Sequence, residues 1–228
     1  MSTARVVSLV PSLTETLLAW GLSPVACTRF CEQEELTHVG GTKDPDVGAI
    51  VALAPDLVVM DTEENRLEDH DALRAAGLVV HATSIRSIED LDAQLPALAE
   101  LVGATWAPLP PPTPADRAMS AFVPIWKRPW MALGAPTYAT SLLGRLGINN
   151  VFATHGPYPE VTLEEAAALV PDVVIAPDEP YRFGERHRAE LEQVAPVRFV
   201  DGADLLWWGA RTAAALDRLR AVLDDSDG

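Results

Sequence analysis

Short apolar runs alternate with amphipathic segments from one end of the chain to the other. The run over 6–10 reads as a strand. Ser12 follows, with Glu15 three residues on, which predicts a capping box opening a helix over 12–20 that stops at Gly21. The pattern continues as a strand over 25–28, a helix over 47–53, a strand over 57–60, a helix over 66–76, a strand over 78–81 and a helix over 88–102. Runs rich in β-branched residues and bounded by Pro, Asp and Gly predict buried parallel strands.

Residues 107–114, APLPPPTP, break the alternation. Proline at this density excludes helix and sheet interiors and favours a stiff extended segment. Beyond it the alternation restarts. Strands are predicted over 122–126, 131–133, 150–152, 173–176 and 197–200, with helices over 137–146, 162–169, 184–194 and 210–223. One phrase occurs in both halves: ALAPDLVVM at 52–60 and ALVPDVVIA at 168–176. Each is a helix end, a Pro-Asp turn and a buried strand, at the same place in the strand–helix order. The expectation is an α/β protein of two Rossmann-like lobes with parallel sheets, helices on both faces of each. The N-terminal lobe covers 1–103, a Pro-rich connector 104–120 and the C-terminal lobe 121–228.

Charge and composition narrow the function. The 228 residues carry a formal net charge of −16 and no cluster of Lys and Arg, which excludes a nucleic-acid partner. No apolar stretch is long enough to span a bilayer, so the protein is expected not to be membrane-embedded. The first residues show neither an apolar h-region nor a cleavage site. That predicts a cytoplasmic protein as the chain is written, and a periplasmic or cell-surface one if it is a trimmed form. Cys27 and Cys31 make no disulfide framework, and C-x-x-x-C with the distant His38 is not a zinc spacing. No nucleophile elbow, P-loop, HExxH or GxGxxG is present, so no catalytic residue, metal site or required cofactor is predicted.

Ligands of open α/β sheets bind beyond the carboxyl ends of the strands. In the first half those positions hold Phe30, Cys31, Glu63 and Asn65. In the second half they are more aromatic: WKRPW supplies Trp126, Arg128 and Trp130, HGPYPE supplies His155 and Tyr158, DEPYRFGERH supplies Tyr181, Phe183 and His187, and DGADLLWWGAR supplies Asp204, Trp207, Trp208 and Arg211. One of Trp207 and Trp208 is expected to face inward. Aromatic rings interleaved with charge suit a large, planar, partly apolar ligand, with Arg128 and Arg211 meeting its anionic groups.

The segments RVVSLVPSLTETLLAWG, TRFCE, VGGTKDPDVGAIVALAPDLVV, EENRLEDHDALRAAG, PIWKRPWM, LLGRLGINNVF, YPEVTLEEAAALVPDVVI, EPYRFGERH and VDGADLLWWGAR, in that order, resemble the solute-binding proteins of cobalamin and iron-siderophore ABC transporters. The resemblance spans nearly the whole chain outside 104–120. It implies a class III periplasmic-binding-protein-like fold, with a cobalamin-like corrinoid or iron chelate held between two lobes and passed to an ABC permease. Phe30, Cys31, Trp126, Trp130, Tyr158 and Trp207 match the family's ligand contacts, and Asp204 is a looser match. Glu164 matches the glutamate that docks on the permease. Its first-lobe counterpart is replaced by Gly48, which leaves one charged docking point fewer. Two alternatives stay open: a cytoplasmic cobalamin- or metal-handling protein or enzyme using acids such as Glu63 or Asp204, and a metal-ion receptor using His155 and His187.

Overall fold

The computed structural model describes residues 4–112 and 119–224. The chain divides into two units. The first takes residues up to Ile85, Glu89–Pro108 and Trp208–Arg211; the second takes Arg86–Ile88, Leu109–Trp207 and the residues from Thr212. Pro-rich residues 109–112 therefore fall in the second unit, and 113–118 of the expected connector lie outside the described residues.

In the first unit β1 (Val6–Ser8) leads into α1 (Pro11–Ala19), followed by β2 (Ala26–Cys27), β3 (Thr37–His38), α2 (Val47–Ala52), β4 (Leu57–Asp61), α3 (Leu67–Ala75) and β5 (Val80–Thr83). The strands form one sheet in the order β3-β2-β1-β4-β5, with every pairing parallel. Val7, Val58, Met60, Ile50 and Leu73 are buried together on it. The helix α4 (Ile88–Val102) follows.

The second unit contains β6 (Met119–Phe122), β7 (Pro124–Trp126), β8 (Met131–Ala132), α5 (Tyr138–Arg145), β9 (Ile148–Asn150), α6 (Leu163–Ala168), β10 (Val173–Pro177), a 3-10 turn, α7 (Arg188–Leu191), β11 (Val197–Val200), α8 (Gly202–Leu206) and α9 (Thr212–Asp224). Its parallel sheet runs β11-β10-β6-β9, and β7 and β8 make a separate antiparallel hairpin. With β3 set aside, both sheets place their first strand inside, the second to one side of it, the third to the other, and the fourth beyond the third. The two units repeat one topology, with β3 an added edge strand in the first.

The duplicated phrase has one structural job in each unit. Asp56 donates its backbone N–H to the Arg5 carbonyl and accepts the Arg5 N–H on its carboxylate, both at 2.8 Å. Asp172 does the same with Ser120, at 2.9 and 2.8 Å. Asp56 thereby ties the start of β4 to that of β1, and Asp172 the start of β10 to that of β6. The residue before each proline, Ala54 or Val170, sits at positive φ, 44° and 50°.

Two local expectations change. α1 starts on Pro11, with Val10 as N-cap and no side-chain cap, so the Ser12–Glu15 capping box does not form. Proline at the first helical position already has the required φ, and both side chains serve elsewhere. The backbone N–H of Trp208 donates to Ser12 Oγ at 3.2 Å, and Arg211 pairs with Glu15 at 2.7 and 3.0 Å. These contacts place Trp208–Arg211 in the first unit, although the sequence order assigns it to the C-terminal lobe. The helix expected over 210–223 is α9, and a further short helix, α8, precedes this segment.

Candidate functional site

The β7–β8 hairpin of the second unit turns through Lys127, Arg128 and Pro129. Arg128 is exposed and sits at a φ of 72°, a costly backbone for a side-chain-bearing residue. The hairpin presents Trp126 and Trp130 to the loop that follows β10. Trp126 meets Tyr181 edge-on at 5.6 Å between centroids. Trp130 stacks on Phe183, with ring planes nearly parallel, at 5.9 Å between centroids. Tyr181 and Phe183 are 4.8 Å apart, and His187 lies 5.6 and 5.5 Å from them. Lys127 Nζ lies 5.3 Å from the Trp130 ring centroid and pairs with Glu190. The pair supports an aromatic platform whose outer ring, Trp126, is 42% exposed.

His187 is buried within this cluster. Its Nε2 accepts from Arg186 Nε at 3.3 Å, and its buried Nδ1 has no protein partner. Burial, then the nearby cations Arg186 and Lys127, lowers its pKa, so the ring is held neutral. His155 is exposed and sits against Phe152 at 5.2 Å. Among the described residues no group of three or more His, Cys, Asp or Glu side chains converges as a metal site.

In the first unit Cys31 is 3% exposed, in the turn after β2. Its Sγ lies 3.2 Å from both the Thr14 and Thr28 hydroxyls. The Cys27 thiol donates to it, and with the two threonines this outweighs desolvation and lowers the Cys31 pKa to about 6. The same contact raises Cys27. Phe30, beside it, is 49% exposed under the Arg29 guanidinium. Asp61, at the end of β4, is fully buried and accepts from Thr83 Oγ1, Glu63 N–H and Ile85 N–H at 2.7, 2.9 and 3.1 Å. Burial nevertheless pushes its carboxyl above the usual range.

The residues singled out in the sequence fall into two groups. Trp126, Trp130 and Tyr181 join in one cluster with Arg128 on its hairpin, while Phe30 and Tyr158 are exposed on their own loops. Glu63 is half-buried, and its carbonyl accepts from Lys43 Nζ at 2.8 Å. Glu164 is exposed at the second position of α6, and Gly48 occupies the second position of α2. Trp207 is half-buried, whereas Trp208 faces inward at 4% exposure.

The polar groups of Cys31, Asn65, Asp204 and Arg211, also expected at the ligand, are engaged inside their own units. Asn65 accepts the Asp61 N–H and donates to the Leu9 and Thr42 carbonyls. Asp204 is buried and takes the Arg218 guanidinium at 2.6 and 2.5 Å. Arg211 is spent on Glu15. Conversely, Lys127 and Glu190 support the cluster without having been singled out. Lys127 lies inside WKRPW, but nothing in the spacing links it to Glu190, 63 residues away.

No family model matches the chain. The vitamin B12-binding protein of Salmonella choleraesuis is 28% identical over 197 residues, covering 75% of this chain and 71% of the relative. Its sequence is thus similar to those of vitamin B12-binding proteins. Solved structures share its fold along almost the whole chain. The periplasmic vitamin B12-binding protein of Vibrio cholerae matches with a TM-score of 0.76 at 18% identity, over 97% of this chain and 96% of its own. A periplasmic heme-binding protein from Pseudomonas aeruginosa matches with a TM-score of 0.79 at 21% identity, over 98% and 94%. No helix of the described residues is long and apolar enough to cross a membrane.

Proposed function

We propose that this solute-binding protein takes a corrinoid or a related planar metal chelate and delivers it, chemically unchanged, to an ABC importer. The observation that supports this most directly is the Trp126–Trp130–Tyr181–Phe183 cluster, with an exposed indole at its edge and the exposed Arg128 on the same hairpin. Aromatic pairs contribute about 1 kcal/mol each beyond the area they bury, so a few rings suffice to hold a macrocycle. The Arg128 guanidinium suits carboxylate or phosphate groups on its periphery. Glu164 is the residue offered to the permease, and Gly48 leaves that contact with a single acidic anchor. Delivery to an importer implies that the protein works outside the cytoplasmic membrane.

Tryptophan fluorescence tests the proposal. The purified protein is titrated with cyanocobalamin, cobinamide, hemin and a ferric siderophore. Saturable quenching by one of them is expected, weakened about tenfold in Trp126→Ala, which corresponds to about 1.4 kcal/mol. The ligand is expected back unaltered by chromatography. Absence of saturable quenching by all four would overturn the planar-ligand proposal, and chemical change in the recovered ligand would replace binding with catalysis.

A further inference from the structure

Inside the first unit, where β4 and β5 end and α3 begins, lies a cavity of about 370 Å³. That is within the range of about 300–1,000 Å³ typical of small-molecule sites. Its apolar wall comes from Met60 on β4, Ala82 opposite it on β5, and Leu67, the first residue of α3. Leu67 is 71% exposed, and Ala82 is exposed on the edge strand. The polar side chains around them are mostly committed elsewhere. Asp61 accepts its three donors, and Asn65 has both ends of its amide engaged. Arg66 lies on Asp69 at 2.8 and 2.9 Å, and the Thr62 hydroxyl donates to Ser84.

His70 is the exception. Its Nδ1 is 3.0 Å from the Asp71 carboxylate. A carboxylate only accepts, so Nδ1 carries the hydrogen, and in the neutral ring Nε2 presents a lone pair. The cavity therefore offers an apolar slot and one acceptor. Of the charged residues lining it, Asp61 is acidic and Arg66 is held by Asp69, so the cavity offers an anion no unpaired cation.

We infer that this cavity binds a small uncharged aromatic molecule carrying one N–H or O–H donor, such as an indole or a phenol. The ring would lie among Met60, Leu67 and Ala82, with its donor on His70 Nε2. The site is built entirely from residues 60–82 and does not rest on the proposed transport ligand.

The test is a 19F NMR titration with 5-fluoroindole. A saturable shift is expected, weakened at least tenfold in Ala82→Trp, which fills the slot from an exposed position. Leu67→Asp, at an exposed helix position where the fold is least disturbed, should weaken it similarly. The N-methyl analogue, which lacks the donor, and 4-fluorobenzoate, an anion, should bind at least tenfold more weakly than 5-fluoroindole. No saturable shift, or affinity unchanged in both variants, would overturn the site. Equal affinity for the N-methyl analogue would overturn the donor requirement.

Discussion

Asp204 is where structure and family resemblance lead to different outcomes for one side chain. As a ligand contact, its removal would lower affinity and leave stability nearly unchanged. The structure makes it the buried half of an ion pair: Asp204 has 4% of its side chain exposed, and Arg218 has 52%. Asp204→Ala removes two charge-assisted hydrogen bonds, but the half-exposed guanidinium is then solvated, so the loss is about 2 kcal/mol. Arg218→Ala is worse. It leaves a buried carboxylate without this guanidinium, at a cost of about 3–5 kcal/mol. For a chain of this length 1 kcal/mol lowers Tm by about 2–4 °C. Thermal unfolding should therefore show Arg218→Ala melting several degrees below Asp204→Ala, with the double variant close to Asp204→Ala. The fluorescence titration should give all three the wild-type affinity. Stability equal to wild type in Asp204→Ala, or a tenfold loss of affinity there, would refute the assignment.

Three further outcomes follow from local geometry. A thiolate absorbing near 240 nm should appear as pH rises through about 6 and be absent in Cys31→Ser; Thr14→Val and Thr28→Val should each raise the midpoint, because each removes a hydroxyl that stabilises the anion. Gly209 has a φ of 104°, and an added Cβ would meet Thr16 Oγ1 at 2.1 Å, so urea unfolding of Gly209→Ala should show a loss of about 1–3 kcal/mol. Val170 is 79% exposed at a φ of 50°, and Val170→Gly should raise Tm by relieving about 1 kcal/mol of left-handed backbone strain.

Much of the fold was legible because periodicity and turn chemistry are local. The helix over 88–102 and the strand over 197–200 match the structure residue for residue, and the repeated Pro-Asp phrase marked the internal duplication. The Ser12–Glu15 pattern misled because it matches a capping box, while both side chains hold residues almost two hundred positions away. α8 was not foreseen: five residues are too few to show a period, and its cap is Asp201 accepting from Asp204 N–H. In the candidate site, Trp126, Trp130 and Tyr181 were legible as exposed-loop aromatics. The Lys127–Glu190 pair was not.

The sequence by itself determined the parallel α/β order, its repetition in two halves, its net acidity, and the aromatic loops of the second half. Each of these depends on neighbours within a few residues, where burial and backbone preference leave a pattern. Only the tertiary structure decided which polar side chains are spent and which remain available. Asp204, Arg211 and Asn65 look like ligand contacts by residue type and position, but a charge or amide satisfies its hydrogen bonds with whatever packing brings near, at any separation along the chain. The same packing set Trp130 flat against Phe183 and left Trp126 at the rim of the cluster.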